Sequence, residues 1–356
     1  MFVVRNAITE DHEPLLRLAR TVYSNNLPAQ ADALQDLLVT SRRSFLGKLD
    51  APDRNYVFTL VDTESGRVVG TSSLIAGKGS EAMPRQVLKV RKREHYSRDL
   101  QTGHVQITLQ LCQDTTGSTE VGGLVLSSAY RGTADRLGSL LSKVRFSFMG
   151  MHPGDFSDRI IGEIMGTLTQ DGRTMLWDHL GRRFINLSYR EADAFSRTSK
   201  EFISSLFPDV EIYASLLPAE ARRLIGHVSP DAVPALRMLE RLGFRHNDEV
   251  DPFDGGPYLE AQRDTIPLIK DTRQATFEGP IDESESLPMA IACSHQGANF
   301  RATRSQYEAT GDTVRLPEAV ATALGLEPGM PVTYTPQVRS QDRTGQTSTD
   351  QESVAT

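Results

Sequence analysis

The segment that most constrains this chain is residues 121–146, where a short apolar run precedes a glycine-bearing basic turn and then apolar residues at helical spacing. A strand that enters a helix through a tight turn leaves backbone N–H groups unpaired at the positive end of the helix dipole. A phosphate or pyrophosphate binds favourably to such groups. The segment therefore predicts a strand, a turn and a helix that bind an anion. The alternative is a turn whose glycines only satisfy backbone geometry.

The residues around this segment predict further strands and helices. Alternating or short buried apolar runs predict strands at residues 2–8, 56–62, 67–75, 104–111 and 159–165. Apolar residues three and four positions apart predict helices around Leu15 and Leu16, at residues 139–148 and at residues 231–244. Turn-forming residues at 63–66 and 251–257 predict two hairpins. The chain is therefore predicted to have a mixed α/β fold.

The chain also divides by composition. Residues 1–270 carry the mixed α/β pattern, and within them residues 167–228 become helical and irregular. Residues 271–336 predict a small C-terminal subdomain of strand, short helix, turn and strand. Residues 337–356 are polar and nearly without apolar side chains, so they are expected to be disordered.

Composition limits the classes of function. A formal net charge of −7 gives the chain no overall attraction for nucleic acid. No apolar run approaches the length of a membrane span, and the first residues lack the regions of a signal peptide, so a cytoplasmic location is expected. The two cysteines, Cys112 and Cys293, are far apart, which argues against a disulfide framework and a cysteine-rich metal site. We therefore expect small-molecule substrates, no metal, no nucleic acid and no membrane.

Five segments in a fixed order resemble one enzyme family. They are residues 114–120, 138–146, 176–184, 239–245 and 253–257. Through them the chain resembles the arginine N-succinyltransferases, enzymes of arginine breakdown that have the acyl-CoA N-acyltransferase, or GNAT, fold. The small C-terminal piece also resembles the region appended in that family.

This resemblance implies a fold and a reaction. The fold is a GNAT-like mixed sheet flanked by helices, with a helical insertion and a small C-terminal subdomain. The reaction transfers a succinyl group from succinyl-CoA, a co-substrate, to the α-amino group of L-arginine, without a prosthetic group. The family also implies a homo- or hetero-oligomer. The alternatives are an acyltransferase with another amine or acyl donor, and a non-catalytic paralogue or partner subunit.

The resemblance also indicates where coenzyme A binds. Leu124 matches the position that the family assigns to succinyl-CoA, and it is expected beside the pantetheine chain. The other expected coenzyme contacts follow along the same strand, turn and helix start: Leu126, Arg131, Gly132, Gly138 and Ser139. The turn from residue 131 to residue 138 is longer than in the family and carries Arg136 where a glycine is expected.

The second departure from the family concerns the proton donor. The family has a histidine immediately before the proline at the start of the late helix, whereas this chain has Ser229 before Pro230. His227 lies two residues earlier, and a histidine titrates near neutral pH. His227 and Ser229 are therefore the candidate catalytic residues. The alternatives are a surface histidine and a serine that caps the helix.

Carboxylates are the candidates for contact with the amine substrate. Glu120 and Glu163 each adjoin a predicted buried strand, where a carboxylate can accept a proton or hold a cation. The alternative is a charge at a strand edge paired with an arginine. Asp254 in its glycine-rich turn can position a substrate group or simply form the hairpin. The basic run at residues 85–93 is interpreted as a solvated strand edge, and the alternative is a role near an anionic ligand or partner.

Overall fold

The computed structural model describes residues 1–22 and 26–337. Its strands join into one mixed sheet. In chain order, the strands of the described residues are β1 (Phe2–Asn6), β2 (Asn55–Asp62), β3 (Arg67–Lys78), β4 (Arg85–Ser97), β5 (Thr102–Asp114), β6 (Ser118–Leu126), β7 (Arg159–Glu163), β8 (Ile212–Tyr213), β9 (Arg245–Val250), β10 (Pro257–Gln262), β11 (Arg273–Ile281), β12 (Met289–Gln296), β13 (Asn299–Gln306), β14 (Glu308–Thr310), β15 (Thr313–Pro317) and β16 (Pro331–Gln337).

The helices lie against this sheet or in the segments between its strands. Over the same described ranges the α-helices are α1 (His12–Ala19), α2 (Ala31–Phe45), α3 (Leu137–Met151), α4 (Met175–His179), α5 (Tyr189–Ser196), α6 (Glu201–Leu206), α7 (Ala219–Arg222), α8 (Val233–Arg241), α9 (Pro267–Lys270) and α10 (Glu318–Leu324). None of these helices is long and apolar enough to cross a membrane.

The sheet order is β14-β15-β11-β16-β12-β13-β1-β2-β3-β6-β7-β10-β9-β4-β5-β8. Only two neighbouring pairs are parallel in the described sheet, β6 with β7 and β11 with β15. The predicted hairpins are confirmed, because β2 pairs antiparallel with β3 and β9 pairs antiparallel with β10. The segment at residues 121–146 forms most of β6, the connecting turn and the first part of α3, as predicted. The mixed α/β fold is confirmed.

Helix α3 is anchored in the main core. Leu140, Leu141, Val144 and Phe148 are each at most 3% exposed and pack into the cluster beneath the central strands. Burial of each such side chain stabilises the fold by roughly 1.5–3 kcal/mol. This packing fixes the direction in which the N-terminus of α3 points relative to β6.

The C-terminal strands extend the main sheet. β13 pairs antiparallel with β1, so the strands after residue 271 continue the order of the N-terminal strands. The expected strand, helix and strand appear as β15, α10 and β16, whereas the preceding strands β11 to β14 were not predicted. Gln337, assigned to the polar tail by composition, is the last residue of β16 and accepts a hydrogen bond from Lys143 at 2.7 Å. Residues 338–356, the rest of the expected disordered tail, lie outside the described residues.

The interpretation of the basic run as a solvated edge is wrong at its first residue. Arg85 is 1% exposed, and its Nη2 donates to Asp114 at 2.5 Å and to Glu249 at 2.6 Å. Its guanidinium lies 4.4 Å from the ring centre of Tyr258. Three neighbours on different strands therefore compensate a buried charge that the sequence pattern alone places in solvent. The later part of β4 is exposed, as expected.

Candidate active site

A cavity of about 810 Å³ opens beside the C-terminal half of β6. Its position follows from the parallel pairing of β6 with β7, which the structure records only at Thr119 and Glu120 of β6. Beyond Glu120 the two strands separate, while β7 stays paired with β10. Residues 121–125 and residues 163–165 therefore line the cavity on opposite sides of the gap.

The wall formed by β6 is shaped by a bulge. Between the positions paired with Ser73 and Thr71 of β3, β6 has one extra residue, and the bulge contains Gly123 and Leu124. Gly123 has a φ of +57°, a conformation that favours glycine. A Cβ atom on Gly122 would lie 2.0 Å from the side-chain nitrogen of Asn26. The bulge thus interrupts the ladder to β3 beside Leu124, which lines the cavity.

The turn before α3 keeps a glycine-like backbone although it carries an arginine. Arg136 caps the helix with φ 49° and ψ 46°, the left-handed conformation. The backbone N–H groups of Ser139 and Leu140 donate to the carbonyl oxygen of Arg136. Those of Leu137 and Gly138 donate to no group in the described part of the chain. The N-terminus of α3 therefore offers two donors to an anion.

Arg131 connects this turn to the cavity. It lines the cavity, and its Nε donates to the carbonyl oxygen of Leu126 at 2.9 Å. Gly132 has a φ of +72° and open space around its Cα. The remaining expected coenzyme contacts are close in sequence to residues that line the cavity but do not line it themselves: Leu126, Gly132, Gly138 and Ser139. The structure thus places Leu124 and Arg131 in the cavity wall and does not place the other expected coenzyme contacts there.

Glu163, the last residue of β7, lines the cavity on the side opposite Leu124. Its Oε2 accepts a hydrogen bond from the hydroxyl of Tyr258 at 3.0 Å. Burial raises the pKa of Glu163 to about 7, and the charges of Glu120 and Asp254 add to this shift. A carboxyl group that titrates near neutral pH can accept a proton from a substrate and release it again.

Asp251, in the turn between β9 and β10, lines the same wall and is 7% exposed. Its Oδ1 accepts hydrogen bonds from the backbone N–H groups of Phe253 at 2.8 Å and Asp254 at 3.0 Å. Within the described residues Oδ2 accepts none. Burial raises the pKa of Asp251 well above its usual range, and the charges of Asp254 and Glu163 contribute to the increase.

Asp254 is held more tightly than Asp251. Its Oδ1 accepts from the N–H of Gly256 at 2.7 Å, and its Oδ2 accepts from the N–H of Gly166 at 2.9 Å. Burial raises the pKa of Asp254 to about 6, although these two hydrogen bonds act in the opposite direction. Glu163, Asp251 and Asp254 form one group of carboxyls, which we call the acidic end of the cavity.

Glu120 lies behind Glu163 rather than in the cavity wall. It is fully buried, and its Oε2 lies 3.2 Å from Nζ of Lys78. Its Oε1 accepts a hydrogen bond from Asn26 at 2.5 Å. Burial alone would raise the pKa of Glu120, but the Lys78 ammonium and the Asn26 amide lower it. Glu120 therefore carries a stable negative charge that helps to raise the pKa of Glu163.

Lys200 lies near the same carboxylates. Burial lowers the pKa of Lys200, and the positive charge of Lys78 lowers it further, whereas Glu163, Glu120 and Asp251 raise it. Its ammonium has no hydrogen-bond acceptor within the described residues. Lys200 thus adds a positive charge next to the acidic end.

Arg145 lines the cavity from α3, on the side of β6. The residue is 3% exposed, and burial lowers its pKa to about 9. Its Nε donates to the carbonyl oxygen of Ser142 at 3.1 Å, Nη2 to the Ser142 hydroxyl at 2.9 Å and Nη1 to the carbonyl oxygen of Gly122 at 3.1 Å. In the described part of the chain no carboxylate lies within 4.0 Å of it. The charge of Arg145 is therefore buried against neutral oxygens and the ring of Phe146, whose centre lies 5.9 Å from the guanidinium.

The two predicted catalytic residues are placed differently. Ser229 is 8% exposed and lines the cavity, with its backbone N–H bonded to the carbonyl oxygen of Met165 at 2.9 Å. Its side chain makes no capping hydrogen bond. His227 is exposed and is not among the residues that line the cavity. The role of both residues stays a prediction.

Several residues of the site carry no local signal in the sequence. Arg145 lies in the segment 138–146 that resembles the family, but nothing in this apolar helix distinguishes it as a site residue. Lys200 belongs to a polar segment and matches no motif. Lys78 follows a predicted strand, but its partner Glu120 is 42 residues away in the sequence. In the sequence, Asp251 indicates only a turn. The one available signal was the placement of Asp251 and Asp254 in the same short turn, which brings two carboxylates together.

Two family models match the chain. The model described as arginine N-succinyltransferase beta subunit matches residues 2–268. The model described as the C-terminal domain of that subunit matches residues 273–336. Together they cover nearly all the residues that the structure describes.

Individual proteins give the same result. Proteins named arginine N-succinyltransferase from Shigella boydii and Escherichia coli are 30% identical to this chain over 332 residues, which cover 92% of this chain and 96% of theirs. A solved structure of subunit AI of arginine/ornithine succinyltransferase from Pseudomonas aeruginosa has a TM-score of 0.80 with this chain at 30% identity. That comparison covers 94% of this chain and 98% of the other, and it confirms the predicted fold.

Proposed function

Because the chain belongs to the arginine N-succinyltransferase family, we propose that it transfers the succinyl group of succinyl-CoA to the α-amino group of L-arginine. The products are CoA and N2-succinyl-L-arginine. As a member of this family the protein is an acyltransferase with an acyl-CoA co-substrate. The observation that carries the proposal is Glu163, a carboxyl with a pKa near 7 that faces the gap between β6 and β7.

In this proposal the coenzyme lies along the exposed edge of β6. The pantetheine chain runs beside Leu124 and Leu126, where β6 has no partner strand on the side of β7. The pyrophosphate binds the free N–H donors at Leu137 and Gly138, with Arg131 beside it. Gly132 and Ser139 are the further residues that we place around the pyrophosphate. The bulge at Gly123 supports this arrangement because it turns backbone groups of β6 away from β3.

The acceptor occupies the acidic end. L-Arginine carries a guanidinium at one end and an ammonium at the other, and both are attracted to carboxylates. Oδ2 of Asp251 has no partner among the described residues and is the group that we assign to the guanidinium. The cation favours the ionised form of Asp251, whose pKa is raised in the free protein by burial and neighbouring carboxylates.

The reaction then needs two proton transfers. Glu163 takes one proton from the α-ammonium group, and the neutral amine attacks the thioester carbonyl carbon. The backbone N–H of Leu124 stabilises the negative charge on the carbonyl oxygen as the C–N bond forms. When the C–S bond breaks, the second amine proton passes to the thiolate of CoA. The Ser229 hydroxyl lines the cavity and is the group that we place beside the sulfur.

Two broader properties follow from the same proposal. Its substrates are metabolites of the cytoplasm, and we place the protein there. We also propose that it works as an oligomer, as the resemblance to the family implies. In support, the far edge of the sheet exposes apolar side chains, which are Tyr96, Leu100, Val105 and Leu216. Light scattering on the purified protein tests this point, and a monomer at micromolar concentration would contradict it.

Thiol release tests the activity. Purified protein is incubated with succinyl-CoA and L-arginine, free CoA is measured with a thiol reagent, and N2-succinyl-L-arginine is identified by mass. Parallel reactions replace the donor with acetyl-CoA and the acceptor with ornithine. Succinyl transfer to arginine at a kcat/KM at least ten times that of the other pairs supports the proposal. No release in any reaction, with thermal stabilisation by CoA retained, would indicate a non-catalytic paralogue.

A further inference from the structure

Arg145 is a buried cation without a role in the reaction proposed above. Its guanidinium has five N–H donors. Three of them are bonded, to the Ser142 carbonyl, the Ser142 hydroxyl and the Gly122 carbonyl. One donor on Nη1 and one on Nη2 remain, and the residue lines the cavity. Two adjacent donors of this kind match the two oxygens of a carboxylate.

The electrostatics indicate that an anion completes this site. Burial of a charge is unfavourable unless an opposite charge or enough hydrogen bonds compensate it. No acidic side chain of the described residues forms an ion pair with Arg145, and burial alone lowers its pKa, to about 9. An arginine stays protonated at neutral pH, so the charge of Arg145 and its two remaining donors are available to an anionic ligand.

The position of Arg145 discriminates between the anionic groups of the donor. Arg145 lies eight residues after Leu137, which is about 12 Å of helix rise from the N-terminus of α3. A pyrophosphate at that N-terminus therefore does not reach it. By contrast, Nη1 of Arg145 bonds the carbonyl of Gly122, two residues before Leu124 on the same strand.

We propose that Arg145 binds the free carboxylate of the succinyl group and thereby selects a dicarboxylic acyl donor. This inference rests on the proposed function, which places the thioester beside Leu124. The succinyl carboxylate is separated from the thioester carbonyl by two methylene groups, a reach that fits the short step from Leu124 to the neighbourhood of Gly122. Acetyl-CoA and butyryl-CoA lack this carboxylate and leave the guanidinium unpaired.

The test compares succinyl-CoA with butyryl-CoA, which has the same number of acyl carbons and no carboxylate. Arg145→Gln is expected to lower kcat/KM for succinyl-CoA roughly 50-fold, as for a lost charged hydrogen-bonded pair, and to change kcat/KM for butyryl-CoA less than about threefold. Arg145→Lys keeps the charge without the paired donors and is expected to lie between these values. Arg20→Gln is the matched control, because Arg20 lines the same cavity but is exposed. Arg20→Gln should change kcat/KM by the same factor for the two donors.

Each other outcome has a defined meaning. If Arg145→Gln lowers kcat/KM for both donors by the same factor at an unchanged melting temperature, the inference is wrong. If the variant keeps its preference for succinyl-CoA but no longer distinguishes L-arginine from L-argininamide, Arg145 binds the carboxylate of the acceptor instead. If the variants do not fold, the wild-type protein still tests the inference. Equal kcat/KM values for succinyl-CoA and butyryl-CoA would overturn it. Failure of the proposed function is separate: the wild-type protein then transfers no succinyl group to arginine.

Discussion

The acidic end of the cavity differs in its buried charge from the wall around Arg145 of α3, which we call the α3 side. At the acidic end burial raises the pKa of Glu163, Asp251 and Asp254, and the charge of Asp254 further raises that of Glu163 and Asp251. Each of the three accepts hydrogen bonds from the protein. On the α3 side Arg145 stands without another charge near it and donates only to neutral oxygens. One wall therefore concentrates like charges, and the other isolates a single cation.

Because of this difference, the two walls of the cavity can bind different substrates. Carboxyls with raised pKa values give up their charge by binding protons near neutral pH, so the acidic end adapts to the presence or absence of a cationic acceptor. An arginine cannot lose its proton in that range, so the α3 side presents a permanent positive charge. The acidic end suits proton transfer and a cation, and the α3 side suits a carboxylate.

The largest effect is expected at Glu163. Glu163→Gln removes the proposed base and should lower kcat/KM about 10²- to 10³-fold. In the wild-type protein activity should fall as the pH drops below about 7, because a protonated carboxyl cannot accept a proton from the amine. The glutamine variant does not titrate, so this acidic limb should disappear. Rate profiles between pH 5.5 and 9 measure both effects.

Glu220→Gln serves as the matched control, since Glu220 is exposed and lies outside the cavity. Its profile should match that of the wild-type protein. An acidic limb near pH 7 that persists in Glu163→Gln would show that another group accepts the proton, and Lys200 would be the next candidate because its pKa is lowered.

Substitutions of Asp251 and Asp254 can distinguish a carboxylate that binds the substrate from one that holds the fold. An amide at position 251 can keep both backbone hydrogen bonds on its single oxygen, because both bonds now use Oδ1. Asp251→Asn should therefore fold normally and raise KM for L-arginine roughly 30-fold, the cost of one charged hydrogen bond. Steady-state kinetics and thermal unfolding check the two halves of this prediction.

Asp254→Asn is the contrasting variant. Asp254 uses both oxygens, and an amide nitrogen cannot accept from the N–H of Gly256 or Gly166. The variant should lose about 2 kcal/mol of unfolding free energy, because one buried N–H is left unpaired. If Asp251→Asn were destabilised as much as Asp254→Asn, the contrast between a substrate group and a structural group would be lost.

The sequence predicted the fold well where structure is local. The β2–β3 hairpin, the unit from β6 to α3 and helix α8 with Gly243 after it all follow from periodicity and turn residues. Strands β12 and β13 were missed, because their small and polar side chains give a weak pattern and they are held by pairing with β1 and β16. Such long-range pairing has no local signature.

The candidate site was predictable only in part, for the same reason. Leu124, Glu163 and Ser229 were singled out and line the cavity. The raised pKa of Glu163 depends on Glu120 and Asp254, which meet it only after β6, β7 and β10 assemble. Arg145 becomes informative only when its lack of a charged partner is visible, and a single sequence does not show this.

A smaller effect is expected at the proposed leaving-group position. Ser229→Ala removes the hydroxyl that lines the cavity and should lower kcat about 5- to 10-fold, as for one neutral hydrogen bond to the sulfur. His227→Ala alters an exposed side chain outside the cavity and should change kcat less than twofold. A strong loss in His227→Ala alone would support the donor predicted from the sequence. It would also show that His227 moves into the cavity when substrate binds.

The smallest expected effect concerns the turn that serves the α3 side. Arg136 adopts a left-handed conformation that costs a non-glycine residue roughly 1–2 kcal/mol, while a glycine loses more chain entropy on folding. Arg136→Gly should therefore stabilise the protein without ligand by about 0.5–1 kcal/mol, measured by denaturant unfolding. Arg136→Ala, which keeps the strain and removes the charge, is the matched control and should give no such gain. A gain shared by both variants would assign the effect to the lost charge, and the backbone of this turn would not be strained.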